Sequence, residues 1–149
     1  MYEKLGLKEA KAAVEVMLEY ATAKKLASYS VAVVDNAGVL AYFGRMDGAF
    51  PLTARMAINK ALTAIDWARD TIDLQKLIMG EKYGEPGVMG AAKRDIAWFG
   101  DSRAAPIPGG VLIKSSDGSI LGAVGTSGGT VEADEELARV GAKAAQEAK

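Results

Sequence analysis

The apolar side chains near the start of the chain recur at helical spacing. Four of them share one helical face: Ala10, Val14, Met17 and Ala21. Residues three or four apart lie on the same side of a helix, and the charged residues between these positions fall largely on the other side. The pattern predicts a helix over about residues 7–25, with Gly6 as a modest N-cap.

Two pairs of short apolar runs, rich in β-branched residues, predict two β-hairpins. Residues 28–35 and 39–46 flank the turn Asp-Asn-Ala-Gly, and residues 111–114 and 120–126 flank Ser-Ser-Asp-Gly. Asp and Asn bond their own backbone in turns, while Gly supplies a positive φ. Because a hairpin places its strands antiparallel, we expect an antiparallel sheet.

Three further helices are indicated. Residues 51–69 begin with a proline, which suits a first helical turn, and carry alanines at three and four spacing. A short helix over 71–79 and a long loop over 80–90 follow, and residues 131–145 form the last helix, with Thr130 as its N-cap. The buried face of that helix is predicted to hold Leu137, Val140, Gly141 and Ala144.

The order of these elements predicts an α+β fold. The chain runs through a helix, a hairpin, two helices, a loop, a second hairpin and a final helix. The arrangement that buries the apolar faces of these elements best is one antiparallel sheet packed by helices. No repeat or linker divides residues 1–149, so we expect a single domain.

The composition of the chain limits the kinds of catalysis and metal binding that its side chains can support. The chain has 149 residues, a formal net charge of −1, no cysteine and no histidine. These absences exclude disulfides, thiolate or imidazole metal ligands, and Ser-His-Asp or Cys-His catalysis. The small net charge supplies no basic field for nucleic acid or anionic lipid. No stretch approaches the roughly 20 apolar residues of a membrane span and the first residues do not resemble a signal peptide, so a cytoplasmic protein is expected.

Arg45 and Asp47 follow the second strand and are candidates for ligand binding and for catalysis, respectively. Arginine holds a carboxylate as a planar fork, and a neighbouring carboxylate can orient a polar ligand. The alternative is a turn, in which Asp47 and Gly48 end the strand and Arg45 pairs with a local acid.

Lys60 lies beside the alanine stripe of helix 51–69 and is the second catalytic candidate. At the edge of a buried face, its amine can act as a base or as a Schiff-base group. The alternative is a side chain that extends its stem along apolar surface and places its charge in water.

Glycine-rich segments precede and follow the second hairpin, at 108–110 and 125–129. Their N–H groups can form an anion-binding nest, and the second segment leads into a helix N-terminus. Strand bends and tight turns explain the glycines equally well. The acidic run at 132–136 is interpreted mainly as complementing the helix dipole, with a hard-cation site as the alternative.

Five apolar residues form a set that can line a pocket for a flat ligand: Tyr42, Phe43, Met89, Trp98 and Phe99. Core packing is the alternative role for each of them. Three of the five fall within or just after the loop that follows helix 71–79.

Taken in order, these motifs resemble the GlcG/HbpS-like family, which includes the C-terminal domain of PduO-type proteins. The matching segments occupy positions 7–10, 31–35, 38–43, 45–48, 60–61, 63–64, 108–111, 122–129 and 134–135. The most distinctive of them read Arg-Met-Asp-Gly, Pro-Gly-Gly-Val and Gly-Ala-Val-Gly-Thr-Ser-Gly-Gly. Each motif is weak alone, and the ordered series along nearly the whole chain carries the resemblance.

The resemblance implies a profilin-like α/β/α sandwich, with a central antiparallel sheet flanked by helices, and a dimer-based homo-oligomer such as a tetramer or octamer. Several relatives bind haem, so it also implies haem or a related tetrapyrrole as a small-molecule ligand. The pocket motifs of the family fall here on Arg45, Asp47, Lys60, Gly109, Gly110, Ser127 and Gly128.

This sequence departs from the family in two ways. Without histidine, an axial ligand to haem iron has to come from Thr126, Tyr42, Tyr83 or a methionine, and the sequence does not rank them. The segment 82–107 looks unlike the simpler loop of relatives, and we expect it to choose the ligand, with Trp98 and Phe99 covering a flat ring.

Three functions stay open at this point. The leading hypothesis is a tetrapyrrole-binding protein in which Arg45, Lys60 and glycine backbone meet carboxylates. The alternative is a cofactor-independent enzyme that moves a proton on a small organic acid or aromatic catabolite, of the lyase or isomerase type, through Lys60 or Asp47. A third hypothesis is a scaffold or sensor subunit that acts through protein contact.

Overall fold

The computed structural model describes residues 4–79 and 102–149, and these two ranges contain four helices and four strands. In chain order they are α1 (Leu7–Ala23), β1 (Ser30–Asp35), β2 (Leu40–Arg45), α2 (Pro51–Trp67), α3 (Thr71–Met79), β3 (Gly110–Lys114), β4 (Ile120–Ser127) and α4 (Val131–Glu147). These are the predicted elements, with their ends shifted by at most two residues. Within these ranges no helix has the length and apolar character needed to cross a bilayer. The predicted loop 80–90 lies outside the described residues, as do Tyr83, Met89, Trp98 and Phe99.

Side-chain carboxylates close both hairpins where the sequence predicts turns. Asp35 Oδ1 accepts the backbone N–H of Val39 at 3.0 Å in the first turn. In the second turn, Asp117 accepts the Ser115 hydroxyl and the N–H of Ser119. These hydrogen bonds, the one from the Ser115 side chain first, lower the pKa of Asp117 to about 2.

The four strands form one antiparallel sheet in the order β2-β1-β4-β3. Helices α1 and α4 pack on one face of the sheet, and α2 packs on the other. The two faces of β1 pack in different layers. Val31 and Val33 join the core under α1 and α4, whereas Val34 packs with the alanines of α2. The antiparallel sheet packed by helices, predicted from the order of elements, and the sandwich that the resemblance implies are therefore confirmed.

The alanine stripe brings α2 unusually close to the sheet. Ala57, Ala61 and Ala64 are fully buried at this contact. Opposite them, a Cβ added to Gly125 of β4 would lie 1.8 Å from the carbonyl oxygen of Ala57. A side chain of any size at position 125 is thus incompatible with the observed helix position.

The outer edge of β3 is capped by the junction between α2 and α3. Thr71 Oγ1 accepts the N–H of Gly110, and Asp70 Oδ1 accepts the N–H of Leu112, both at 2.9 Å. These bonds satisfy donors that an edge strand otherwise leaves open. Arg139 of α4 reaches around the same edge and lies 3.6 Å from Asp70.

Candidate functional site

Arg45 and Ser127 lie in one row at the same end of the sheet. Arg45 of β2 and Ser127 of β4 are both paired with Ser30 of β1. Because neighbouring strands are about 4.8 Å apart, the two outer Cα atoms are separated by about 10 Å. Residues directly opposite each other in antiparallel strands share a face, so these three side chains lie on the face that α2 covers.

The N-terminus of α2 is attached to this row. Ser30 Oγ lies 2.9 Å from Thr53 Oγ1, and the Thr53 hydroxyl donates to the carbonyl of Phe50 at 2.6 Å. No side chain caps the helix at Phe50, and a proline occupies the first turn. The positive end of the helix dipole therefore lies at the end of the sheet that carries Arg45.

Arg45 is held at the rim by the turn that follows β2. Its Nη1 donates to the carbonyl of Ala49 at 3.2 Å, while the residue as a whole is exposed. Asp47 is exposed in that turn, and Gly48 adopts a φ of +82°. The turn that was the alternative interpretation of this motif is present, and it places the guanidinium at the surface.

Tyr42 and Phe43 point to opposite faces of β2. Tyr42 is paired with Val33 and packs on the core under α1 and α4. Phe43 lies two residues from Arg45 and therefore shares its face. The structure thus separates the candidate Tyr42 from Arg45 and brings Phe43 to the site side instead.

Lys60 is buried within the protein and is only 2% exposed. Its Nζ lies 2.8 Å from Asp134 Oδ2 and donates to the carbonyl of Thr126 at 2.9 Å. The interpretation in which this charge reaches water is wrong, because the ammonium ends on protein atoms. A catalytic role for Lys60 stays a prediction, and both observed contacts are structural.

Asp134 connects the end of β4 to the start of α4. Its Oδ1 accepts the N–H of Gly129 at 3.1 Å, and its carbonyl accepts the Thr126 hydroxyl at 2.7 Å. The Thr126 N–H in turn donates to the carbonyl of Gly109 at 2.9 Å. Thr126 is fully buried and lies on the α4 side of the strand, away from Arg45 and Ser127.

Neighbouring atoms occupy the space beside the glycines of both glycine-rich segments. At Gly109, which has a φ of +122°, an added Cβ would lie 3.0 Å from Lys60 Nζ, and at Gly110 it would lie 2.4 Å from the Lys60 carbonyl. At Gly128 it would lie 2.4 Å from the carbonyl of Ser28. Close packing accounts for these glycines, and their part in ligand binding stays a prediction.

Tyr29 is a buried phenol that sequence reasoning missed. Its hydroxyl has no hydrogen-bond partner within the described ranges, and a Cβ at Gly129 would lie 2.2 Å from it. Burial, followed by the nearby Asp134 carboxylate, raises the pKa of Tyr29 well above its ordinary value. The phenol therefore stays protonated.

Glu135 belongs to the acidic run considered in the sequence, but its burial was not predicted. Its carboxylate oxygens are buried and make no hydrogen bond in the described part of the chain, although Arg139 Nη2 lies 2.9 Å from Oε1. Burial raises the pKa of Glu135; the Arg139 charge opposes this, and the Asp70 charge adds to it.

A sequence signal for Asp134 does exist. The residue precedes Leu137 by three positions, and Leu137 precedes Gly141 by four, so all three continue one helical face. A carboxylate on a buried face needs a cationic partner, which here is Lys60. Tyr29 alternates with Val31 and Val33 in the predicted strand, which indicates a shared face. Glu135 carries no comparable signal, because its burial depends on tertiary packing.

A shallow groove of about 340 Å³ lies at the opposite end of the sheet. It is lined by Lys114, Ser115, Ser116, Leu121, Gln146 and Lys149. None of the predicted site residues borders it. No group of three or more acidic residues in ranges 4–79 and 102–149 is arranged to hold a metal ion, so the hard-cation alternative for 132–136 has no support there.

Comparisons with known proteins identify relatives along most of the chain. A family model described as haem degrading protein HbpS-like matches residues 5–143. An uncharacterised 15.0 kDa protein of Citrobacter freundii, from the dhaT–dhaS intergenic region, is 33% identical over 106 residues. That match covers 71% of this chain and 68% of the relative.

Two solved structures share the architecture. A doubly substituted form of Streptomyces reticuli HbpS superposes with a TM-score of 0.76 and 26% identity, covering 96% of this chain and 88% of that one. The haem complex of PduOC superposes with a TM-score of 0.78 and 22% identity, covering 95% of each chain. Both similarities agree with the sandwich described above.

Proposed function

Since this chain belongs to the HbpS-like family of haem degrading proteins, we propose that it binds haem or a related tetrapyrrole, with the ligand carboxylates at the end of the sheet that carries Arg45. The observation that supports this proposal most directly is the pairing of Arg45 and Ser127 on either side of Ser30. This row offers a guanidinium, a hydroxyl and the positive end of α2 on one face. These are the groups that favour a carboxylate.

Apolar side chains beside the row suit the flat body of such a ligand. Phe50 is 77% exposed and Leu52 is 56% exposed, both at the start of α2. Phe43 is half-buried on the same face as Arg45. Trp98 and Phe99 remain predicted contributors from the segment outside the described residues.

The predicted dimer-based homo-oligomer belongs to the same proposal. Strand β2 is an outer strand of the sheet, and the exposed apolar residues Val39 and Leu40 lie at its start. Apolar surface beside the outer strand of a sheet favours association. Sedimentation of the purified protein checks this part, and a monomer at micromolar concentration contradicts it.

Titration of the purified protein with haem tests the proposal. We expect saturable binding with a shifted Soret band in the wild-type protein. Arg45→Glu replaces a charge-assisted contact by repulsion and should weaken binding about tenfold or more, since such contacts contribute roughly 1.5–3 kcal/mol. Arg69→Glu makes the same charge change beyond the far end of α2 and should leave binding unchanged.

Two results contradict the proposal at different levels. Absence of a shifted Soret band and of saturation removes haem as the ligand. Equal loss of affinity in Arg45→Glu and Arg69→Glu leaves haem binding in place but removes the Arg45 end of the sheet as its location.

A further inference from the structure

We infer, resting on the proposed function, that this chain recognises its tetrapyrrole through the carboxylates and the ring and not through the iron. Proteins hold haem iron mainly by histidine, thiolate, methionine or tyrosine. This chain contains no histidine and no cysteine, so the first two are ruled out by sequence. Three tyrosines, Thr126 and the methionines Met17, Met46 and Met56 can each be followed in the structure, whereas Tyr83 and Met89 lie outside the described residues and are covered by the experiment below.

The hydroxyl of Thr126 and the amine of Lys60 both form hydrogen bonds to protein atoms. The Thr126 hydroxyl donates to the carbonyl of Asp134, and Thr126 has no exposed surface. The Lys60 ammonium is bonded to Asp134 and to the Thr126 carbonyl, and it is almost fully buried. Iron cannot reach either group without disrupting the end of β4.

The three tyrosines in the described part of the chain offer no better donor. Tyr29 has no exposed surface, and its protonated phenol lies in the core against Gly129. Tyr42 packs on the face of β2 opposite to Arg45. Tyr20 belongs to α1 in that same opposite layer, where burial and then Glu136 raise its pKa. Iron binds the tyrosinate form, which the raised pKa values of Tyr20 and Tyr29 disfavour.

Two methionines are also engaged. Met46 Sδ accepts the N–H of Tyr29 at 3.3 Å. Met17 is fully buried against Gly141. Met56 is partly exposed and follows Leu52 by one helical turn, so it lies on the same side of α2 as Leu52. It therefore provides the sharpest control.

Paired titrations with haem and with metal-free protoporphyrin IX separate the two kinds of recognition. We expect dissociation constants within about threefold of each other, since both ligands carry the same two carboxylates and the same ring. Arg45→Glu should weaken both by the same factor. Met56→Leu conserves volume and should change neither, and thermal unfolding of each variant checks that it is folded.

A preference for haem of more than about tenfold overturns the inference, as does a Met56→Leu variant that loses haem affinity and keeps porphyrin affinity. A six-coordinate spectrum of the bound haem that persists in Met56→Leu also overturns it, because donors within 80–101 then hold the iron. Failure of both ligands to bind instead contradicts the proposed function itself.

Discussion

Lys60 Nζ lies 2.8 Å from Asp134 Oδ2, and this ion pair joins α2 to α4 across the end of the sheet. The two side chains are only 2% and 6% exposed. They come from residues 74 positions apart and from opposite faces of the sheet. Removing one partner leaves an uncompensated buried charge, which is the costly way to disturb such a pair.

Lys60→Met should lower the free energy of unfolding by about 3–5 kcal/mol, because Asp134 then stays buried without its cation. Urea denaturation at pH 7 measures this loss. Lys143→Met is the matched control, since Lys143 forms an exposed helical pair with Glu147 and should change stability by less than about 0.5 kcal/mol.

The same variant addresses the enzyme hypothesis. If Lys60 only holds the two layers together, Lys60→Met combined with Asp134→Leu should regain much of the lost stability, because no charge remains unpaired. A single Lys60→Met variant as stable as the wild type contradicts the structural role of Lys60.

Glu135→Gln should stabilise the protein at neutral pH. Burial raises the pKa of Glu135 in the folded state above its ordinary value of 4.5, so the folded protein holds this proton more tightly than the unfolded chain does. As pH rises from about 4.5 through the folded pKa, the wild type therefore loses stability that it has at lower pH. The gain in melting temperature from Glu135→Gln should be larger at pH 7 than at pH 4.

Glu132→Gln is the control for that comparison. Glu132 is exposed in the first turn of α4, where its charge complements the helix dipole. Its removal should lower stability by about 0.3–1 kcal/mol at pH 7, which is the opposite sign. A Glu135→Gln variant whose effect is the same at both pH values would show that Glu135 does not titrate as described.

Gly125→Ala tests the close approach of α2 to the sheet. The added methyl would meet the Ala57 carbonyl at 1.8 Å, so the helix must move, and we expect a loss of about 3 kcal/mol or more. Gly118→Ala places a methyl in open space at a φ of +87°, and backbone strain alone should cost it about 1 kcal/mol. Equal midpoints in urea for the two variants contradict the packing.

Phe50→Ser should weaken tetrapyrrole binding about tenfold with little change in stability. The side chain is 77% exposed in the free protein, so it gains burial only when a ligand covers it. Leu7→Ser removes an apolar side chain of 63% exposure at the start of α1, in the layer on the other face of the sheet, and should leave affinity unchanged. An unchanged affinity in Phe50→Ser removes the apolar half of the proposed site.

The helices and hairpins were predictable because their signals are local. Asp35 bonds within its own turn, and Ala10 to Ala21 repeat at helical spacing, so neither depends on the rest of the chain. The register of the sheet, in contrast, depends on how distant segments of the chain pair. Alternation within β2 places Phe43 and not Tyr42 on the face of Arg45, but a shift of one residue would decide whether that face lies under α2 or under α1 and α4, and the sequence does not fix that register.

The buried charges were the least predictable part of the site. Asp134 and Glu135 belong to an acidic run that resembles an ordinary helix N-terminus. The cation beside Asp134 is Lys60 from a distant element, whereas the cation beside Glu135 is Arg139, one turn further along α4. The glycines at 109 and 110 likewise read as a ligand cradle, whereas atoms of Lys60 and Thr71 fill the space beside them. Only the assembled layers distinguish these roles.

Mapping of backbone amide shifts by NMR, with diamagnetic metal-free protoporphyrin IX as the ligand, tests the location of the site most directly. We predict that the largest shifts fall on Arg45, Phe50 and Ser127, at one end of the sheet. Shifts concentrated on Lys114, Ser116 and Gln146, around the groove at the other end, contradict this account.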